Sequence, residues 1–159
     1  MLTKIEMKPV SRRALLAFAG AGTVASLASG LLPGLARADA KAAEAAMRKL
    51  IGDRKLKAGR ITLELPQIAE NGNTVPIALE VESPMTEADY VKAVHVFSDQ
   101  NPNPYVATFR FSPASGKARI STRMRMIKTQ NVIAVAEMSD GSVYMAKSEI
   151  IVTIGGCGG

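Results

Sequence analysis

From Ile61 onward the apolar residues of this chain recur at every second position in short runs, and that period decides the fold class before anything else does. Ile61, Leu63 and Leu65 alternate with Thr62 and Glu64 until Pro66 ends the run. After the turn signal Asn71-Gly72-Asn73, Val75, Ile77, Leu79 and Val81 alternate with Pro76, Ala78, Glu80 and Glu82. A period of two puts one set of side chains on one face of a pleated strand, as a half-buried strand requires. Pro76 has no N–H to give a ladder, which predicts an edge position for its strand. The same reading predicts strands over 90–98, 105–111, 117–127, 131–138 and 142–154. Asn101-Pro102-Asn103-Pro104, Ser115-Gly116 and Asp140-Gly141 supply the turns between them. Short strands in succession, with no helix between them, predict a mainly β fold: an immunoglobulin-like antiparallel β-sandwich of about seven strands.

Ahead of the strands the period lengthens. Ala43, Met47, Leu50 and Ile51 fall on one face of a helix over 40–51, with Asp39 placed to cap it and Gly52 to end it. One N-terminal helix is therefore expected, lying on a sheet or on a partner, with a basic linker from Asp53 to Arg60. Before Asp39 the chain changes character. Lys4 and Lys8 lead into Ser11-Arg12-Arg13-Ala14-Leu15-Leu16, and a mildly apolar run ends in Pro33 and Ala36-Arg37-Ala38. This resembles a twin-arginine export signal over 1–38, cleaved before Asp39, and it implies a periplasmic protein exported in the folded state. An uncleaved anchor is the other reading of the apolar run, which its many small residues disfavour. Folded export also leads us to expect that the chain crosses together with a subunit lacking its own leader.

Removing that segment changes the electrostatic picture. Lys4, Lys8, Arg12, Arg13 and Arg37 against Glu6 carry most of the net charge of +6, so the remainder is too weakly basic to argue for nucleic acid. The chain has one cysteine, which rules out an internal disulfide. In an exported protein an unpaired cysteine points to a free reactive thiol or an intermolecular bond.

That cysteine sits in Gly155-Gly156-Cys157-Gly158-Gly159. A lone cysteine is commonly a buried small hydrophobe. Here no apolar residue follows Ile154, and glycines offer nothing to pack over the sulfur. Gly155, Gly156, Gly158 and Gly159 instead predict a flexible arm over 155–159, separate from a carrier domain over 39–154. Five extended residues reach on the order of 16–18 Å, enough to carry a sulfur atom into a neighbouring protein. An exposed thiol near its ordinary pKa is nucleophilic enough to exchange with disulfides.

Other residues give weaker signals. His95 lies in a strand between Val94 and Val96, which favours a structural role over metal ligation. Met124 and Met126 share a strand face with Ala118, Ile120 and Thr122, which makes them core residues rather than copper ligands. Arg119, Arg123 and Arg125, with Ser121, form the opposite face. That stripe suits an acidic partner or an anionic group carried on Cys157, and equally a solvated surface. Glu80, Glu82, Glu87 and Asp89 read as a solvated edge and turn, and no nucleophile–base constellation has any specificity.

The twin-arginine leader, the strand-rich body and the ending Val152-Thr153-Ile154-Gly155-Gly156-Cys157-Gly158-Gly159 together resemble the SoxY family, the sulfur carriers of the bacterial thiosulfate-oxidising (Sox) system. The resemblance implies an immunoglobulin-like fold, a heterodimer with a SoxZ subunit, and covalent attachment of sulfur intermediates at Cys157. It also implies a non-enzymatic carrier without a bound cofactor. Its partners would be a haem c-type oxidase that attaches thiosulfate, a hydrolase that releases sulfate, and a molybdenum-dependent sulfur dehydrogenase where the organism has one. The intermediates would be an S-thiosulfonate and a persulfide.

Three other classes stand beside it. Ubiquitin-like sulfur carriers also end in Gly-Gly but are cytosolic, against the leader. A periplasmic copper module would draw on His95, Met124, Met126 and Cys157. A plain interface sandwich would leave the tail inert.

Overall fold

Two sheets packed face to face account for the alternating runs. The computed structural model describes residues 40–156. The leader expected over 1–38, the Asp39 cap, and Cys157, Gly158 and Gly159 lie outside the described residues. The elements are α1 (Ala40–Ile51), β1 (Leu56–Lys57), β2 (Ile61–Glu64), β3 (Ile68–Ala69), β4 (Val75–Val81), β5 (Val91–Ser98), β6 (Tyr105–Arg110), β7 (Ala118–Met124), β8 (Gln130–Met138) and β9 (Val143–Val152). A short 3₁₀ turn over Pro113–Ser115 precedes β7. Among the described residues no helix is long and apolar enough to cross a membrane.

The larger sheet runs β1-β9-β8-β5-β6, with β3 also pairing β9; the smaller runs β2-β4-β7. Val75, Ile77, Leu79 and Val81 from β4, and Ala118, Ile120 and Met124 from β7, face inward. They meet Val94 and Val96 of β5, Val132, Ala134 and Ala136 of β8, and Ile150 of β9 in one core. Met126, just past β7, is fully buried in the same core, as the methionine reading expects. Val75, Leu79, Val96 and Val132 are all at most 2 % exposed. At about 25 cal/mol per Å² of apolar surface removed from water, this layer is the main source of the domain's stability.

The seven longer strands are those the sequence predicts, and every ladder between two of them is antiparallel. Two features depart from the sequence reading. First, β1 and β3, two residues each, pair in parallel with the start and the end of β9. The chain leaves the larger sheet after β1, enters the smaller one as β2, and returns as β3 once Pro66 has broken β2. Strands this short carry no visible period, so they were hidden within the basic linker and the Pro66 break. Second, β4 is the middle strand of its sheet, not an edge. Pairing with β2 stops at Ala78 opposite Glu64, so Pro76 lies past the end of β2 and has only β7 as a neighbour. The proline marks a local edge of a central strand.

α1 covers the other face of the larger sheet. Met47 and Ile51 pack on Phe97, Ile133, Val135 and Val143, with Leu56 and Met145 at the margin. Leu50, expected on the buried face, is 43 % exposed. The buried stripe is Ala43, Met47 and Ile51, spaced four apart, and Leu50 falls beside it. Gly52 ends the helix as expected, with φ at 65° and its N–H bonded to the Arg48 carbonyl at 2.9 Å. Because α1 lies on one side and the small sheet on the other, β5 and β8 are buried on both faces along most of their length.

Candidate functional site

The described chain ends at the root of the glycine-rich segment, and three stretches of backbone converge there. β3 runs alongside β9: Ile151 N–H donates to the Gln67 carbonyl at 3.0 Å and Thr153 N–H to that of Ala69 at 3.0 Å. The pairing continues past both strands. Gly72 N–H donates to the Ile154 carbonyl at 2.7 Å, and the Gly72 carbonyl accepts from Met126 N–H at 2.8 Å. Met126 in turn accepts from Gly156 N–H at 2.8 Å. Gly72, Met126 and the 154–156 segment therefore form a closed ring of backbone hydrogen bonds. Gly72 and Gly156 are buried, while Gly155 is exposed.

The contacts are too close for side chains. A methyl group on Gly155 would collide with the Ile127 carbonyl oxygen, and one on Gly156 would lie 2.7 Å from the Gly72 carbonyl oxygen. One on Gly72 would collide with the Met126 carbonyl oxygen and lie 2.7 Å from the Gly156 nitrogen. The sequence predicts freedom from Gly155 onward. Gly155 and Gly156 are instead seated on the fold, and their glycine character is used here for closeness.

A buried polar cluster shapes the 125–127 receiver. The Asn101 amide donates to the Arg125 carbonyl at 2.8 Å, and its oxygen accepts from Ile127 N–H at 3.2 Å and from the Gln130 amide at 2.8 Å. Gln130 accepts from Gln100 N–H at 3.2 Å. Asn101 and Gln130 are 4 % and 2 % exposed, so these bonds stand in for lost water. From sequence Asn101 is only part of an Asn-Pro turn. A turn asparagine that braces a distant loop leaves no separate local mark. Ile68 and Ile151, which are register partners, and Ile154 form an exposed apolar rim on the same end of the molecule.

The other candidate residues lie elsewhere. His95 is 4 % exposed on the helix-covered face, with Nδ1 2.6 Å from the Thr108 hydroxyl and Nε2 2.6 Å from Glu137 Oε1. The second oxygen of Glu137 meets the Arg54 guanidinium at 2.7 Å. Burial alone would push the Glu137 carboxyl up, but the bonds from His95 and Arg54 outweigh it and hold the group below the ordinary carboxylate value. Both ring nitrogens of His95 are thus engaged in a structural network. Met124 and Met126 point into the core on the opposite side of β5. The copper set His95, Met124 and Met126 is therefore divided between two faces of one sheet, which removes the geometric basis of that reading. Among the described residues no group of three His, Cys, Asp or Glu side chains gathers.

Arg119, Arg123 and Arg125 are exposed along β7 and its end, as the sequence pattern implies. Arg119 approaches Glu80 at 3.9 Å across the β4–β7 ladder, a solvated contact of small energetic weight. Asp89 pairs with Arg60 at 3.1 Å.

The SoxY family model, described as sulfur oxidation protein SoxY, matches residues 47–157. The solved structure of the sulfur carrier protein SoxY from Chlorobium limicola f thiosulfatophilum matches at 32 % identity with a TM-score of 0.62, over 73 % of this chain and 100 % of that one. Superoxide reductases share the fold alone. The neelaredoxin of Ignicoccus hospitalis matches at 14 % identity and TM-score 0.53, over 59 % of this chain and 80 % of that one. A putative enzyme of the class from Thermotoga maritima matches at 17 % and 0.52, over 61 % and 93 %. No curated protein matches. With the family model spanning well over half its length and reaching the cysteine itself, this chain belongs to the SoxY family.

Proposed function

We propose that this protein is a sulfur carrier of the Sox system, a subunit acted on by partner enzymes, with Cys157 as the point of covalent attachment. The observation that carries the reading is the family match running to residue 157, together with a likeness that takes in the whole of the Chlorobium sulfur carrier. A thiolate on a glycine-flanked segment suits delivery: the same sulfur enters several deep sites, and tethering replaces free diffusion with a high effective concentration.

In the proposed cycle the Cys157 thiolate and the sulfane sulfur of thiosulfate join in a new S–S bond. The two electrons released would pass singly to one-electron haem acceptors on a partner oxidase. Water then cleaves the S-thiosulfonate, sulfate and two protons leave, and a persulfide remains on Cys157. A molybdenum-dependent dehydrogenase, where present, would oxidise that sulfur further. This chain supplies the thiol and its placement, and the partners supply the redox chemistry. The protein would act in the periplasm as a heterodimer with a SoxZ-like subunit, exported by its twin-arginine leader over 1–38.

The test is the intact mass of the exported protein, isolated without reductant from cells given thiosulfate, alongside Cys157→Ser. Sulfur adducts confined to the wild-type chain, starting at Asp39 and co-purifying with a second subunit, are expected. A bare thiol under those conditions would reject the carrier reading.

A further inference from the structure

We infer that Gly72 is a positioning residue for Cys157: with Met126 and Ile127 it forms a backbone clasp that fixes where the cysteine-bearing segment leaves the fold. The inference deepens the carrier reading and rests on it for its purpose, although the clasp itself stands on geometry alone.

Four observations converge on it. Gly72 uses both of its backbone groups in the ring, donating to Ile154 and accepting from Met126. The Met126 carbonyl takes the Gly156 N–H, so the last described residue is held by the same ring. All three glycines at the junction lack room for a Cβ, and the obstructing atoms are mainly backbone, which cannot swing aside. Finally, the receiving loop is stiffened from beneath by Asn101 and Gln130, both buried. A loop that merely passed by would need neither the bracing nor the glycines.

The functional consequence concerns where the arm begins. With Gly156 seated, the thiol is carried one residue from a fixed point, and its approach to a partner's site is set by the 72/126 junction. Gly155 and Gly156 then serve close packing. Opening the clasp would lengthen the reach by freeing two more residues, roughly 3.3–3.6 Å each when extended.

Amide hydrogen exchange at Gly156 in the full exported protein tests this, with a nitroxide on Cys157 as the second probe. In the wild type, exchange at Gly156 is expected to be at least tenfold slower than for an unstructured chain. In Gly72→Ala the protection should be lost and the nitroxide spectrum should sharpen toward free rotation, with the strand amides of β5 and β8 still protected. A change confined to the arm is not what a general loss of stability would produce. Wild-type exchange at Gly156 within twofold of the unstructured rate overturns the clasp, and this result needs no variant to fold. Protection that survives Gly72→Ala overturns the role of Gly72. Neither outcome touches the carrier reading, which stands or falls on the Cys157 adducts.

Discussion

The helix-covered face of the larger sheet and the root of the Cys157 segment are both fastened to the same sandwich, but by different means. Under α1 the fastening is made of side chains: Met47 and Ile51 on Phe97 and Val135, with Arg54, Glu137, His95 and Thr108 as a charged rivet. At the root it is made of backbone, with three glycines pressed against carbonyl oxygens. Side-chain fastening tolerates change, because neighbours can repack. Backbone fastening does not, since no rotamer relieves a clash with a carbonyl.

Met126 should give the largest effect, because it belongs to both worlds. Its side chain is fully buried in the core and its N–H and carbonyl are both in the ring. Met126→Ala should cost about 2–5 kcal/mol of stability through the cavity it leaves, measured by denaturant unfolding. A cost near zero would mean that the core beneath the junction is loose.

Asn101 comes next. In Asn101→Ala the Ile127 N–H, the Arg125 carbonyl and the Gln130 amide lose buried partners, at about 1–3 kcal/mol. The Gly156 amide should exchange faster as well, since its receiver is no longer braced. Equal destabilisation with unchanged exchange at Gly156 would separate the polar cluster from the junction.

The same contrast explains what could be read without coordinates. Fold class, the seven long strands, the helix and the burial of Met124 and Met126 all follow from side-chain periodicity, which is written directly in the residue order. The Gly-Gly-Cys-Gly-Gly end likewise announces itself by composition. The central position of β4 was not visible, because Pro76 reports only the absence of one donor and cannot say how far a neighbouring strand extends. β1 and β3 were hidden because two residues have no period. The docking of Gly155 and Gly156 was hidden for a deeper reason: glycine means either freedom or closeness, and only the distance to Gly72 and Ile127 tells which.

Glu137 sharpens the side-chain half of the comparison. Its carboxyl is held below its ordinary value of 4.5, so the charged form is the one that the fold stabilises. For a depressed carboxylate the contribution is present above the unfolded value and is lost as pH falls through 4.5 and below. Glu137→Gln should cost about 1–2 kcal/mol at neutral pH, moderated by the part-exposed Arg54. It should also flatten the loss of thermal stability on acidification. An acid profile identical to wild type would show that the carboxylate is not coupled to folding.

The smallest effect is expected at Gly52, and it isolates the two uses of glycine. Gly52 has φ at 65° and open space where a Cβ would go, so alanine there meets no atom and suffers only the backbone cost of a left-handed residue. That cost is about 1 kcal/mol. Gly52→Ala should therefore lower the melting temperature slightly, fray the last turn of α1 at the Gly52–Arg48 hydrogen bond, and leave exchange at Gly156 as in the wild type. Gly155→Ala reverses every term. The helix keeps its end, and the Ile127 carbonyl must move or the segment must lift away, so protection at Gly156 should fall while α1 is unaffected. If both variants behaved alike, glycine would be serving conformational freedom at both places and the distinction between the two fastenings would collapse.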